Sequence, residues 1–135
     1  MEANELMIGD WVGRVFDDKR IDYRQVDWIR TGEIGMRYQK VWAIGCIEPI
    51  PLTAEILEKD GWERDIDKEW EYNNSHILPH YCYQWEKQNV KIEMYAGLEG
   101  FTISLIIGLR FYAVHELQHA LRLCGLDELA DNFKV

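Results

Sequence analysis

The stretch Pro49-Ile-Pro51 constrains the fold of this chain more than any other feature. Proline removes a backbone donor and pushes the residue before it away from helical geometry, so the chain runs extended here and turns a corner. The two sides of that corner differ in kind. Before it, apolar residues recur with strand spacing and no helical period competes. Trp11 leads a run to Phe16, a polar turn follows at 17–20, and 25–29 is short and apolar-rich. Ile34, Met36 and Tyr38 then alternate, and 41–47 is nearly continuous. Four or five short strands with Gly and Asp turns predict a small bent β-sheet or an SH3-like barrel.

After the corner a helix start is spelled out. Thr53 offers an N-cap, Leu52 can staple against Leu57, and Asp60-Gly61 offers a stop, which predicts a helix over 54–59. Three antiparallel strands follow, carried by Tyr81/Tyr83/Trp85, by Val90/Ile92/Met94 and by Phe101/Ile103/Leu105/Ile107, with a hairpin loop at 96–100. A helix over about 111–124, capped by Gly125, and a short turn at 127–131 close the chain. The expectation is an α+β protein: one compact domain over 1–135, with possible subdomains 1–48 (β) and 49–135 (helix, three antiparallel strands, helix).

The net charge of −9 is uneven. Residues 53–79 hold eight acidic and three basic side chains. A negative field repels phosphate backbones, so direct nucleic-acid binding is not expected, whereas the field suits a basic protein partner or a mimic of nucleic acid. Six Trp and seven Tyr are many for this length; the plainer reading is a core built from large side chains, and the other is that a surplus reaches the surface as a binding face. Trp62, Trp70 and Tyr72 alternate with charge, which makes them the candidate interaction residues. Cys46, Cys82 and Cys124 form no metal or redox spacing and read as reduced thiols of a cytoplasmic protein. The first residues form no secretory signal, and the apolar run 103–109 is too short to span a bilayer.

One motif names a chemistry. Residues 115–119, His-Glu-Leu-Gln-His, spell H-E-x-x-H, which on a helix sets two imidazoles one turn apart. In a zinc hydrolase His115 and His119 would bind the metal and Glu116 would activate its water. A catalytic zinc needs a third protein ligand. Arg122 and Gly125 stand where the extended motif has Gly and His, and only Asp127, Glu128 and Asp131 lie just beyond. His76 and His80 form a second pair of the same spacing, but Pro79 disfavours a helical turn there. On a helical wheel His115 and His119 point away from the arc of Val114, Leu117, Leu121 and Cys124, which predicts solvent-facing residues.

Three blocks carry a resemblance: Asn4-Glu-Leu-Met-Ile-Gly-Asp-Trp-Val12, Ile50-Pro-Leu-Thr-Ala-Glu-Ile-Leu57 with Gly61-Trp62, and Val114-His-Glu-Leu-Gln118 with Leu121. In order and spacing they are similar to a family of small proteins met in gut bacteria of the Bacteroides type and in their phages and mobile elements. That family has no established activity to carry over, so the resemblance implies a kinship of fold and no mechanism. In it the position of His119 is often not histidine, which would make the second ligand incidental. The expected function is therefore a noncatalytic accessory protein that binds another protein and holds no cofactor. The alternative is a small zinc-dependent hydrolase of peptidase type using His115, Glu116 and His119.

Overall fold

The computed structural model describes residues 1, 5–38, 40–66, 82–95, 100–104 and 106–135. In chain order its elements are β1 (Trp11–Val15), β2 (Ile21–Arg30), β3 (Glu33–Met36), β4 (Lys40–Ala43), a 3-10 turn (Ile44–Cys46), α1 (Ala54–Lys59), β5 (Glu63–Arg64), β6 (Cys82–Lys87), β7 (Val90–Tyr95), β8 (Phe101–Ile103), β9 (Ile106–Phe111), α2 (Val114–Leu123) and α3 (Asp127–Asp131). The chain is α+β, with one four-stranded and one five-stranded antiparallel sheet.

Two compact units share these elements. The first comprises 1–51, 113–133 and 135; the second comprises 52–112 and 134. The closing helices thus belong with the N-terminal sheet, and the boundary does not follow a cut at residue 48. The reason is local to the first unit. Six of the ten residues of α2 are buried, and Gln118 among them bonds residues near the chain start. Pro51 and Ala113 form an antiparallel bridge in the first unit, and Leu52 N–H donates to Tyr112 O at 2.8 Å in the second.

In the first unit the strand order is β1-β2-β3-β4. The long β2 pairs with β1 along its first half and with β3 along its second, and its register slips between Val26 and Trp28. Such a bulge bends a strand and raises its twist. After the 3-10 turn the chain returns to β1, where Gly13 and Glu48 exchange two backbone bonds of 2.9 and 2.8 Å. The described strands do not close into a barrel, so the bent open sheet is the form realised. Leu6, Val12, Val26, Ile34, Met36, Trp42 and Ile47 make its apolar core.

The second unit follows the order β5-β6-β7-β8-β9. Helix α1 has the bounds its sequence predicts. Thr53 Oγ1 accepts from Ile56 N–H at 3.2 Å. At its end Gly61 N–H donates to Glu58 O and Trp62 N–H to Leu57 O, both at 3.0 Å. This double bond pattern satisfies two otherwise orphaned carbonyls. The third expected strand differs. The run 101–107 reverses after Ile103, and β8 and β9 pair with each other, Phe101 opposite Phe111 and Thr102 opposite Arg110. No Gly or Pro marks that reversal, so unbroken alternation reads as one strand. Phe111 consequently ends β9, and the helix begins three residues later. The buried Trp85 and Phe101 rings meet at a 57° tilt, 5.8 Å between centroids. Among the described residues no helix is long and apolar enough to cross a membrane.

Candidate functional site

The H-E-x-x-H residues occupy the first turns of α2, in the first unit. Ala113 is the N-cap and has no side-chain acceptor, so the helix start is satisfied from the other direction. Glu116 Oε1 accepts from Ala113 N–H at 3.0 Å. A glutamate at this third position also suits the positive end of the helix dipole. The other end repeats the motif of α1: Gly125 N–H donates to Arg122 O at 3.0 Å and Leu126 N–H to Leu121 O at 2.9 Å.

The polar face of α2 is covered. His115 is only 7% exposed and Gln118 is fully buried, which corrects the solvent-facing arrangement that the wheel predicts. The cover is the turn at 7–10, closed by Asp10 N–H donating to Met7 O at 3.1 Å. Gly9 sits in it at φ +92°, where a side chain is strained, and a Cβ there would meet Arg122 Nη2 at 3.0 Å. Three residues of α2 hold this turn. Gln118 donates to Gly9 O and Ala130 O, both at 2.9 Å, and accepts from Trp11 N–H at 2.9 Å, so its amide is fully used. Arg122 Nη1 meets Asp10 Oδ1 at 2.7 Å and its Nη2 reaches Asp131 Oδ1 at 3.2 Å. His119 Nε2 lies 2.6 Å from Asp10 Oδ2, which also accepts from Met7 N–H at 2.8 Å. From β2, Gln25 Nε2 adds bonds to Gly9 O and Asp131 O, both at 3.1 Å.

Asp10 is fully buried at the centre of this cluster. A buried carboxylate is tolerable only when paired and hydrogen-bonded, and here both oxygens are engaged. His115 stands beside it, its ring 5.6 Å from that of His119 and nearly perpendicular. Burial holds the His115 imidazole below its ordinary pKa, with the Asp10 charge opposing that effect. Its Nδ1 is buried and makes no hydrogen bond.

Metal ligation is the chemistry the motif would supply, and the arrangement fits it poorly. Among the described residues no three His, Cys, Asp or Glu side chains form a group able to hold a metal ion. The carboxylate nearest the histidines is already held by a guanidinium. Asp127 and Glu128 are exposed, and Asp131 turns to Arg122. Glu116 reaches back along the chain to its cap. His76, His80, Trp70 and Tyr72 lie outside the described residues. Trp62 is described, and it is buried at 2% exposure with its Nε1 donating to Asp60 Oδ2 at 3.0 Å. That corrects its place on an exposed interaction face: flanking charges mislead here because the helix end of α1 turns the indole inward. Cys46 and Cys124 are free thiols.

Asp10, Gln25, Gln118 and Arg122 are the residues that sequence reasoning missed. Asp10 and Gln118 lay in the outer two blocks, 4–12 and 114–121, which meet in this cluster, whereas Gln25 and Arg122 lay in neither. The central block supplies α1 and the Asp60–Trp62 bond of the second unit. No family model, curated protein or solved structure matches the chain.

Proposed function

We propose that this chain is a noncatalytic accessory protein of the phage and mobile-element type, working in the cytoplasm by binding another protein. One observation carries the noncatalytic part: two of the three polar groups that a zinc hydrolase would use, Glu116 and His119, are engaged in holding the first unit together. Glu116 caps α2, and His119 shares Asp10 with Arg122. For catalysis, Glu116 would have to leave its cap, and Asp10 or another group would have to give up its present partner. Exposed apolar side chains support the binding part. Tyr38 and Leu123 are 84% and 77% exposed, and Ile8, Ile21 and Val41 are also largely open. Free Cys46 and Cys124 are compatible with a reducing compartment.

Metal analysis of untagged protein tests this reading. The expected result is substoichiometric zinc and a melting temperature unchanged by chelator. Stoichiometric zinc that disappears in His119→Ala, together with chelator-sensitive stability, would overturn it in favour of the zinc hydrolase with His115, Glu116 and His119.

A further inference from the structure

The first unit carries a second feature that neither the motif nor the hydrogen-bonded cluster accounts for. A cleft of about 520 Å³ opens against the β1–β2 hairpin and β4. Its lining holds four cations, Arg14, Arg20, Arg24 and Lys40, and one carboxylate, Asp22. The sequence dictates this convergence. In the β1–β2 register Arg14 faces Asp22 and Val12 faces Arg24, so these side chains share one face of the hairpin. The tight turn, with Phe16 N–H donating to Arg20 O at 2.8 Å, returns Arg20 to the same end.

The cations are poorly neutralised. Asp22 is taken by Arg24, whose Nε lies 3.2 Å from its carboxylate. Arg14, Arg20 and Lys40 have no carboxylate within ion-pair distance among the described residues. In a chain of net charge −9 with 24 acidic side chains, three cations without a salt bridge among the described residues at one cleft are a departure from the average surface, even with the Asp18 carboxylate accepting from the Arg20 N–H in the adjoining turn at 3.0 Å. Two of them are also held in place. The guanidinium carbons of Arg14 and Arg20 lie 4.5 and 4.3 Å from the centroid of the same Phe16 ring. Cation–π stacking fixes the planar forks while leaving their N–H edges free, so less ordering remains to oppose binding. Two like charges around one ring repel, and carboxylates bound at their outer edges offset that repulsion.

We infer that this cleft is a docking site for an acidic, extended segment of a protein partner, its carboxylates taken by Arg14, Arg20 and Lys40. The inference rests on the reading of the chain as an interaction protein, and it names the chemistry of that partner. Two features favour a peptide over a nucleic acid. A continuous polyphosphate meets the repulsion of the whole chain at every step, whereas a peptide presents carboxylates only where the cleft accepts them. The cleft also carries exposed apolar groups, Ile21 and Val41, which match a segment alternating acidic and apolar side chains. Guanidinium forks pair with carboxylates in bidentate fashion, which supplies specificity as well as affinity.

The test uses the intact protein and a labelled synthetic peptide rich in Glu and Leu, its Gln-for-Glu counterpart, and an oligothymidylate of equal charge. Fluorescence anisotropy should show saturable, salt-sensitive binding of the acidic peptide. The Arg14→Ser/Arg20→Ser double variant should bind at least about tenfold more weakly, with an unchanged circular dichroism spectrum. Arg37→Ser, a change of the same charge at an exposed residue outside the cleft lining, should bind as the unaltered protein does. Equal binding of the Gln peptide, tighter binding of the oligothymidylate, or undiminished binding by the double variant would each overturn the inference. So would dimerisation that the double variant abolishes without any peptide binding, since a second copy would then be the occupant. A metal-free protein that ignores the peptide defeats this proposal alone; stoichiometric, structure-dependent zinc defeats the reading beneath it.

Discussion

Among the described residues each unit buries one aspartate, and the two are held differently. Asp10 in the first unit has Arg122 at 2.7 Å, His119 at 2.6 Å and the Met7 N–H at 2.8 Å. Asp60 in the second has the Trp62 indole at 3.0 Å, the Lys134 N–H at 2.8 Å and Lys87 Nζ at 3.3 Å. Burial pushes the Asp60 carboxyl above its ordinary pKa of 3.8, despite those bonds. A guanidinium offers a short, directional, charged donor, whereas the Lys87 ammonium is a compact point charge shared with the Asp60 carbonyl oxygen. The lesson is that equal burial does not mean equal function. Asp10 organises a turn that closes the first unit, while Asp60 is a polar stop at the end of a helix.

The largest expected effect breaks the first of these. Asp10→Ala removes the buried acceptor shared by the part-buried Arg122 and His119 and by the Met7 N–H, and should cost about 3 kcal/mol of unfolding free energy, read from urea midpoints at pH 7. A loss below about 1 kcal/mol would mean that the cluster is decorative. Next, Trp62→Ala removes a buried indole and should cost about 3 kcal/mol, whereas a surface aromatic would cost almost nothing. The contrast sharpens with Asp60→Asn. It removes a charge that burial disfavours and keeps one acceptor oxygen for the indole, but its NH2 then faces the Lys134 N–H, so the expected loss is about 1–2 kcal/mol, below that of Asp10→Ala. If Asp60→Asn proved as damaging as Asp10→Ala, the distinction between the two sites would fall.

The smallest effect is one of pH. The His115 pKa is lowered from 6.5, so below that value the unfolded chain binds a proton that the folded chain refuses. Stability therefore falls as pH drops from 6.5 toward the folded value. Asp60 acts in the opposite sense: its raised pKa makes the folded chain the better proton acceptor just above 3.8, and the advantage is lost as pH rises through the folded value. His115→Gln should flatten the stability profile just below pH 6.5 by under about 1 kcal/mol, while Asp60→Asn should alter only the acid end.

These sites also mark where the sequence could be read and where it could not. Helix α1 was readable to its last residue because Thr53, Leu52 and Gly61 act within a few positions of one another. Most strands announced themselves through alternation, but β5 at Glu63–Arg64 did not, the run 41–47 ends as a strand at Ala43, and the run 101–107 turns without a turn residue. The candidate site was readable only as a local motif. His115, Glu116 and His119 advertise zinc because their spacing is local, but their roles depend on Asp10, which is 109 residues from His119. A helical wheel assumes that polar means exposed. Gln118 and His115 break that assumption, because a buried polar face is stable whenever a distant turn brings matching donors and acceptors.

The pairing of Pro51 with Ala113 and of Leu52 with Tyr112 has a consequence for what such a chain tolerates. Residues 52–112 leave the first unit and rejoin it at neighbouring backbone positions, so the ends of the inserted stretch are already closed by hydrogen bonds. The entropic cost of closing a loop rises only slowly with its length once its ends are fixed side by side. A change in the length of that stretch should therefore cost the first unit little, because the clasp between the N-terminal turn and the last helices lies wholly within it.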